Sequence, residues 1–263
     1  MKIAIIGYNA YLAHDIEKVF TNATLFKRFE SVSDVDVLKS FDYVINFSIQ
    51  PAFKQEKLRL SDIIDVKIAN VIKDSDTKFV MISSRKVYGA SDRFALYSEQ
   101  SELRPTDCYS YNKIISEREI QRILPNKNLI LRVGNILDFP TDKNNSTFIS
   151  WISGALKNNG VLNVTENENV RKDFITRDYF QSALKTLIDK QKVGIFNIGA
   201  GFALKIKDLL PMITGQDRIV FQNTVPEKDG FILDCDKLHA VVMPFTKQEL
   251  YAKCRSINQI YQK

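Results

Sequence analysis

Residues Phe79–Gly89 read FVMISSRKVYG, and this stretch decides the fold. Its first half is a short apolar run without hydrophobic–polar alternation, the pattern of a strand covered on both faces in a parallel sheet. Its second half sets Ser83 and Ser84 at the carboxyl end of that strand, before a turn. In open parallel sheets ligands bind in the crevice outside those ends. Ser83 is expected to cap the strand end and Ser84 to point into the crevice.

Similar runs lie on either side: Lys2–Ile6, Ala23–Lys27 and Tyr43–Phe47 before it, Leu129–Val133 after it. Together with Lys78–Ser83 they make five strands. Helical periodicity separates them at Tyr11–Phe20, Ser61–Lys73 and Tyr109–Arg122, with Pro125 stopping the last. Such alternation predicts an α/β fold, a Rossmann-type doubly wound parallel sheet. After Phe139 the rhythm changes. PTDKNNST (140–147) reads as a loop, FISWISGALKNNG (148–160) as a helix ending at Gly160, KVGIFNIGAG (192–201) as a strand, and PFTKQELYAKCRSINQIYQ (244–262) as helix. The expected division is a dinucleotide-binding domain over 1–140, to which 176–200 returns, and a smaller substrate-binding lobe over 141–263.

Composition limits what such a fold can serve. With 263 residues and 44% apolar content the chain can fill a core, which excludes a disordered or fibrous protein. Lys and Arg number 37 against 31 Asp and Glu, so the net charge is +6. A basic balance points to an anionic partner: nucleic acid, a membrane surface or phosphorylated metabolites. Cys108, Cys235 and Cys254 stand far apart with no Cys-x-x-Cys, so neither a zinc site nor a disulfide framework is expected, and no other metal site. The opening MKIAIIG is too short for a signal-peptide core, and no apolar run approaches the roughly 18 residues of a membrane helix. A cytoplasmic protein without membrane contact is the expectation.

Gly7 ends the first strand, where a following helix would present amides to a dinucleotide pyrophosphate. Ala10 and Ala13 stand at the spacing where further glycines would be needed for close approach. Lys27 and Arg28 close the second strand, and cations there suit the 2′-phosphate of NADP more than the bare ribose of NAD. CYSYNKIISERE (108–119) is the strongest feature. Tyr109 and Lys113, four apart on a helix, leave the same face. An ammonium about 5 Å from a phenol, at an effective dielectric of about 20, favours the phenolate by roughly 3 kcal/mol, so the pair can move a proton.

Taken in order, these segments resemble the extended short-chain dehydrogenase/reductase family, the sugar-nucleotide epimerases, dehydratases and reductases. DYVINFSI (42–49), FVMISSRKVYG, the run through Tyr109 and Lys113, LILRVGNIL (129–137), RKDFITRDYF (171–180) and GIFNIGAG (194–201) fall where that family has its landmarks. The resemblance implies roles. Tyr109 is the general acid/base, Lys113 holds the nicotinamide ribose, and Ser84 orients the sugar carbonyl. Gly7, Ala10, Tyr11, Leu12 and Ala13 line the pyrophosphate and adenosine path, with Lys27 and Arg28 near the adenosine. Asn46, Phe47 and Ser48 follow the ribose and nicotinamide wall. Arg85, Asn135, Arg171 and Lys172 touch the nucleotide-diphosphate sugar, Lys172 standing where the family has Arg.

Asp65 replaces an amide of the family, and Ile68 a small residue. Arg85 and Lys86 occupy the positions of a dehydratase's acidic pair, which argues against dehydration. The expectation is therefore an NADPH-dependent reductase of a nucleotide-linked 4-keto-6-deoxy sugar in cell-surface carbohydrate biosynthesis, with NAD as the other cofactor and a 4-epimerase as the alternative reaction. A non-catalytic NADP-sensing or RNA-binding member is the alternative of another class, although no nucleic-acid partner is expected. Ile114, Ile115 and Ile120 on the Tyr109 helix suggest a homodimer face, Trp151 a core or lobe-interface residue, and Cys108 a small buried hydrophobe.

Overall fold

The computed structural model of the chain describes residues 1–139, 148–223, 225, 226 and 228–261. The expected loop over 140–147 lies outside them. The chain forms two compact units, one of Met1–Gly89, Ser101–Val133 and Gln181–Asn197, the other of Ala90–Gln100, Gly134–Phe180 and Ile198–Lys263.

The first unit is built on a sheet of six strands. β1 (Ile3–Ile6), β2 (Thr24–Phe26), β3 (Tyr43–Asn46) and β4 (Lys78–Ser84) are joined by Asn128–Val133 and Gly194–Ile198. From edge to edge the order is Gly194–Ile198, Asn128–Val133, β4, β3, β1, β2. The ladders from β2 across to Asn128–Val133 are parallel, with Ile6 opposite both Phe26 and Asn46, and Ser83 opposite Arg132. Between β1 and β3 the strand order reverses, which opens a crevice at their carboxyl ends, beside Gly7 and Phe47.

Two helices cover one face. α1 (Ile64–Ile72) and α2 (Cys108–Ile123) bring Ile64, Ile68, Ala69, Ile72 and Ile120 against Ala4, Ile6, Val44, Phe79, Met81 and Ile130. Ile68, where the family carries a small residue, is wholly buried in this layer. Burial of such a side chain contributes about 1.5–3 kcal/mol. Alternate positions Ile5, Ile45 and Val80 are equally inaccessible, so the central strands are apolar on both faces as expected. β2, at the edge, is only half-buried.

The segment Tyr11–Phe20 departs from expectation. It forms no α-helix but two 3-10 turns, Tyr11–Ala13 and Ile16–Lys18, with Asp15 between them at φ 62. The cause is distant in sequence: the Gln181 amide donates to the carbonyls of Leu12 at 3.0 Å and His14 at 2.9 Å. An α-helix would have turned those carbonyls to amides four residues on. The dipolar helix end expected at Gly7 is absent.

Ile114 and Ile120 are 4% and 0% exposed within their own chain, and Ile115 is half-buried. Two smaller expectations change. Trp151 is 44% exposed, while its neighbour Phe148 reaches inward to Phe174, ring centroids 5.1 Å apart. Cys108 is half-exposed rather than buried.

The second unit contains the expected helix as Phe148–Asn159, followed by Gly160 at φ +67, and ends in the helix Lys247–Tyr261. The terminal helix is tied down by Lys253, whose ammonium lies 3.1 Å from the buried Asp138 carboxylate. Asp173 is fully buried and accepts from the backbone amides of Ala200, Gly201 and Leu233.

Candidate active site

A cavity of about 360 Å³ occupies the crevice between β1 and β3, lined among others by Gly7, Asn9, Ala10, Lys27, Arg28 and Gln50. Gly7 has φ +79, and a Cβ there would lie 2.7 Å from the Ser48 amide nitrogen, so only glycine permits this approach. Gln50 donates its amide to Asp62 O at 2.7 Å, while its Oε1 is buried with no partner. An orphaned buried acceptor in a cavity wall invites a hydroxyl or amino donor from a ligand. With exposed Lys27 and Arg28 beside it, the cavity fits the adenosine and pyrophosphate portion of a dinucleotide.

Of the residues expected on this path, the cavity gathers Gly7, Ala10, Lys27, Arg28, Phe47 and Ser48. Tyr11, Leu12, Ala13 and Asn46 are not among its lining; the Leu12 carbonyl is taken by Gln181, and Asn46 is 2% exposed and hydrogen-bonded to Ser48. Asn9, Glu30, Ile49, Gln50 and Pro51 line it without having been expected. They belong to loops and to the short 3-10 turns Phe29–Ser31 and Pro51–Lys54, where periodicity gives no signal.

Tyr109 and Lys113 sit on the first turns of α2. Its start is set by a reciprocal cap: Asp107 Oδ1 accepts from the Ser110 amide at 2.7 Å, and the Asp107 amide donates to Ser110 Oγ at 3.1 Å. The Lys86 ammonium, from the turn after Ser84, adds a contact to Asp107 Oδ2 at 3.2 Å. Burial opposes ionisation of Asp107, but the Ser110 amide and hydroxyl and the Lys86 charge hold its carboxyl below the usual carboxylate value. The turn carrying Ser84 is thereby fastened to the helix start carrying Tyr109.

The cap expected of Ser83 falls to Ser84. Ser84, half-buried, takes the capping position by accepting from the Lys86 amide at 3.3 Å. Ser83 is 3% exposed and donates a short hydrogen bond to Glu117 on α2. Glu117 also receives Arg132 at 2.7 Å, Arg132 reaches the Tyr88 hydroxyl at 3.1 Å, and Tyr88 donates to Asn197 at 2.6 Å. This buried network fixes α2 on the sheet.

Lys113 is 3% exposed. Its Nζ lies 3.5 Å from Asp65 Oδ2, 5.0 Å from the Phe53 ring centroid and 6.0 Å from that of Tyr109. Phe53 also meets Tyr109 edge-on at 5.8 Å. Asn112 holds the segment bearing Phe53, donating to the carbonyls of Phe53 and Glu56 and accepting from the Leu58 amide. Neither Asn112 nor Phe53 was expected at the site.

In the second unit, Asn135 Nδ2 is buried without a partner, an open donor. Arg171 is exposed, its guanidinium 4.8 Å from the Phe94 ring. Lys172 meets Glu166 at 2.5 Å and Asp229 at 3.9 Å, so carboxylates of its own chain already balance the charge expected to face a diphosphate. Arg85 stands half-buried in the turn after Ser84. Among the described residues no group of three or more His, Cys, Asp or Glu could hold a metal ion. No described helix is long and apolar enough to cross a membrane.

Comparison with known proteins places this geometry. The model of the NAD dependent epimerase/dehydratase family matches residues 21–199, beginning beyond the altered turn at Gly7. No curated protein matches the chain. Among solved structures, the UDP-N-acetylglucosamine 4-epimerase from Methanobrevibacter ruminantium M1, in complex with UDP-N-acetylmuramic acid, is similar with a TM-score of 0.82 at 18% identity, over 100% of this chain and 99% of that one. A mutant UDP-glucuronic acid 4-epimerase from Bacillus cereus, bound to a fluorinated substrate analogue and NAD, gives 0.78 at 16% identity over 100% and 99%. An NAD dependent NDP-hexosamine 5,6-dehydratase, TunA, involved in tunicamycin biosynthesis, gives 0.76 at 15% over 100% and 99%. At these identities the likeness is one of fold.

Proposed function

The chain belongs to the NAD dependent epimerase/dehydratase family, and within it we propose a sugar-nucleotide 4-epimerase. One observation carries the reading: Tyr109 and Lys113 share one face at the capped start of α2, and Lys86 fastens the Ser84 turn to that cap. The similar 4-epimerases support the choice of reaction over a reductase.

A bound dinucleotide supplies a hydride acceptor and donor. The chain supplies the rest. The Tyr109 phenolic oxygen takes the proton of the sugar hydroxyl as that carbon is oxidised and returns it to the same sugar oxygen when the keto sugar is reduced on its other face, and Ser84 Oγ holds the sugar oxygen by a hydrogen bond. Lys113 holds the ribose, Gly7 and Ser48 admit the pyrophosphate, and Gln50 accepts from the adenosine end. Lys27 and Arg28 favour a 2′-phosphate there. Within the second unit, Asn135 Nδ2 and the exposed Arg171 guanidinium are donors suited to a nucleotide diphosphate, and a substrate of that kind would suit cell-surface carbohydrate synthesis.

The test is incubation with NAD or NADP and UDP-N-acetylglucosamine or UDP-glucuronic acid, followed by NMR of the sugar. Inversion at C4 without net cofactor reduction is expected, and its loss in Tyr109→Phe. Failure to invert any such sugar, with cofactor bound, overturns the reading.

One observation favours a second reading, the NADPH-dependent reductase of a 4-keto-6-deoxy sugar nucleotide. An epimerase must retain its cofactor through two opposite transfers, and the missing α-helix after Gly7 removes a main hold on the pyrophosphate. A loosely held cofactor exchanges, as a reductase requires. Stoichiometric NADPH oxidation by the keto sugar would identify this reaction.

A further inference from the structure

A continuous line of hydrogen bonds leaves the cavity floor at Ser48 and ends on Lys113. The Ser48 amide and hydroxyl donate to Asn46 Oδ1 at 3.0 and 2.7 Å. Asn46 Nδ2 donates to Ser48 O at 3.1 Å and to Asp65 Oδ1 at 2.6 Å. The other carboxylate oxygen, Oδ2, faces the Lys113 ammonium at 3.5 Å. Asn46 and Asp65 are each 2% exposed, and Lys113 is 3% exposed.

Asn46 is saturated: both amide hydrogens and the carbonyl oxygen have partners within the chain. Its orientation is therefore fixed, and it fixes Asp65 in turn. A buried ammonium needs a counter-charge, and Asp65 supplies one from α1, an element independent of the helix bearing Lys113. The long, rotatable lysine side chain is thus held from its charged end as well as its root.

We infer that Asp65 is a positioning residue for Lys113, placing the ammonium for the distal ribose of the dinucleotide before any ligand arrives. This rests on the reading of the crevice as a dinucleotide site. It also compensates for the altered turn at Gly7: with no helix end to seize the pyrophosphate, the second half of the site is assembled in advance.

Calorimetric titration with ADP, which has no distal ribose, and with ADP-ribose, which has one, tests the inference without turnover. In Asp65→Ala, ADP-ribose affinity is expected to fall at least tenfold, about 1.4 kcal/mol, while ADP affinity changes less than twofold. The loss should vanish when Asp65→Ala is made in a Lys113→Met background, since the carboxylate acts through the ammonium. If Asp65→Ala does not fold because Lys113 is left unpaired, Asp65→Asn serves instead, with a smaller loss confined to ADP-ribose. Equal losses for ADP and ADP-ribose, no loss for either, or a loss that persists in the Lys113→Met background would overturn the role of Asp65. Wild-type protein that binds neither ligand would overturn the dinucleotide reading itself.

Discussion

Glu117 on the helix of Tyr109 and Lys113 receives Arg132 of the neighbouring strand at 2.7 Å, with both side chains almost completely buried. Burial opposes the charge on Arg132, but the hydrogen bonds and charge of Glu117, helped by Tyr88, more than restore it. Removing one partner leaves the other charge buried and unpaired. Glu117→Ala should lower stability by about 3–5 kcal/mol, and Glu117→Ala with Arg132→Met should recover most of it. Urea unfolding of the two variants decides; an unaffected single variant contradicts the network.

Asp107 caps α2 and should contribute about 1 kcal/mol. Its carboxyl is held below the usual value, so this contribution is full above the unfolded carboxylate value near pH 4 and fades as pH falls through the lower folded value. Asp107→Ala should lose it at pH 7, and lose activity further because the first turn carries Tyr109. Unfolding midpoints at pH 3 and pH 7 check this: the gap between variant and wild type must narrow in acid.

Asp173 responds to pH in the opposite sense. Burial raises its carboxyl to about 7, partly offset by the amides of Ala200, Leu233 and Gly201. A raised carboxyl binds more protons folded than unfolded, so stability should fall by a few kcal/mol as pH rises from about 4 to about 7, then level. Asp173→Asn should be less stable throughout, and its stability should lack that decline. Parallel slopes for wild type and variant would refute the assignment.

Tyr109→Phe should retain the fold, since the half-buried hydroxyl caps nothing in the helix, yet lower turnover by 10²–10⁴-fold, roughly the worth of a positioned proton carrier. The observation needed is unchanged thermal unfolding alongside lost C4 inversion or keto-sugar reduction.

Cysteine labelling should separate the three thiols. Burial pushes Cys254 up to about 12, and burial, aided by the Asp173 charge, raises Cys235 further. Cys108 is half-exposed beside Tyr109. A maleimide should therefore modify Cys108 alone in the native protein, and mass spectrometry of peptides would reveal any reaction at the other two.

Much of this site is legible in local pattern, and the remainder is not for definite reasons. Four-residue spacing alone puts Tyr109 and Lys113 on one helical face. Which of two successive serines turns inward depends on the helix covering that face of the strand, so Ser83 and Ser84 could not be told apart without the position of Glu117. A buried acidic residue at Asp65 reads as an anomaly along the chain. Its partner Lys113 is 48 positions away, and neither residue carries a mark that names the other.

The sequence by itself determined the parallel α/β sheet, the crevice at the strand ends and the paired Tyr109 and Lys113, because hydrophobic period and helical spacing act over a few residues. Only the tertiary structure decided that Tyr11–Phe20 would not become a helix and that Lys113 would rest on Asp65. The first outcome hangs on Gln181, 169 positions from Leu12 and 167 from His14; the second on the meeting of α1 with α2. Backbone carbonyls and buried charges take whichever partner the packed core brings within reach, and that choice has no local signature.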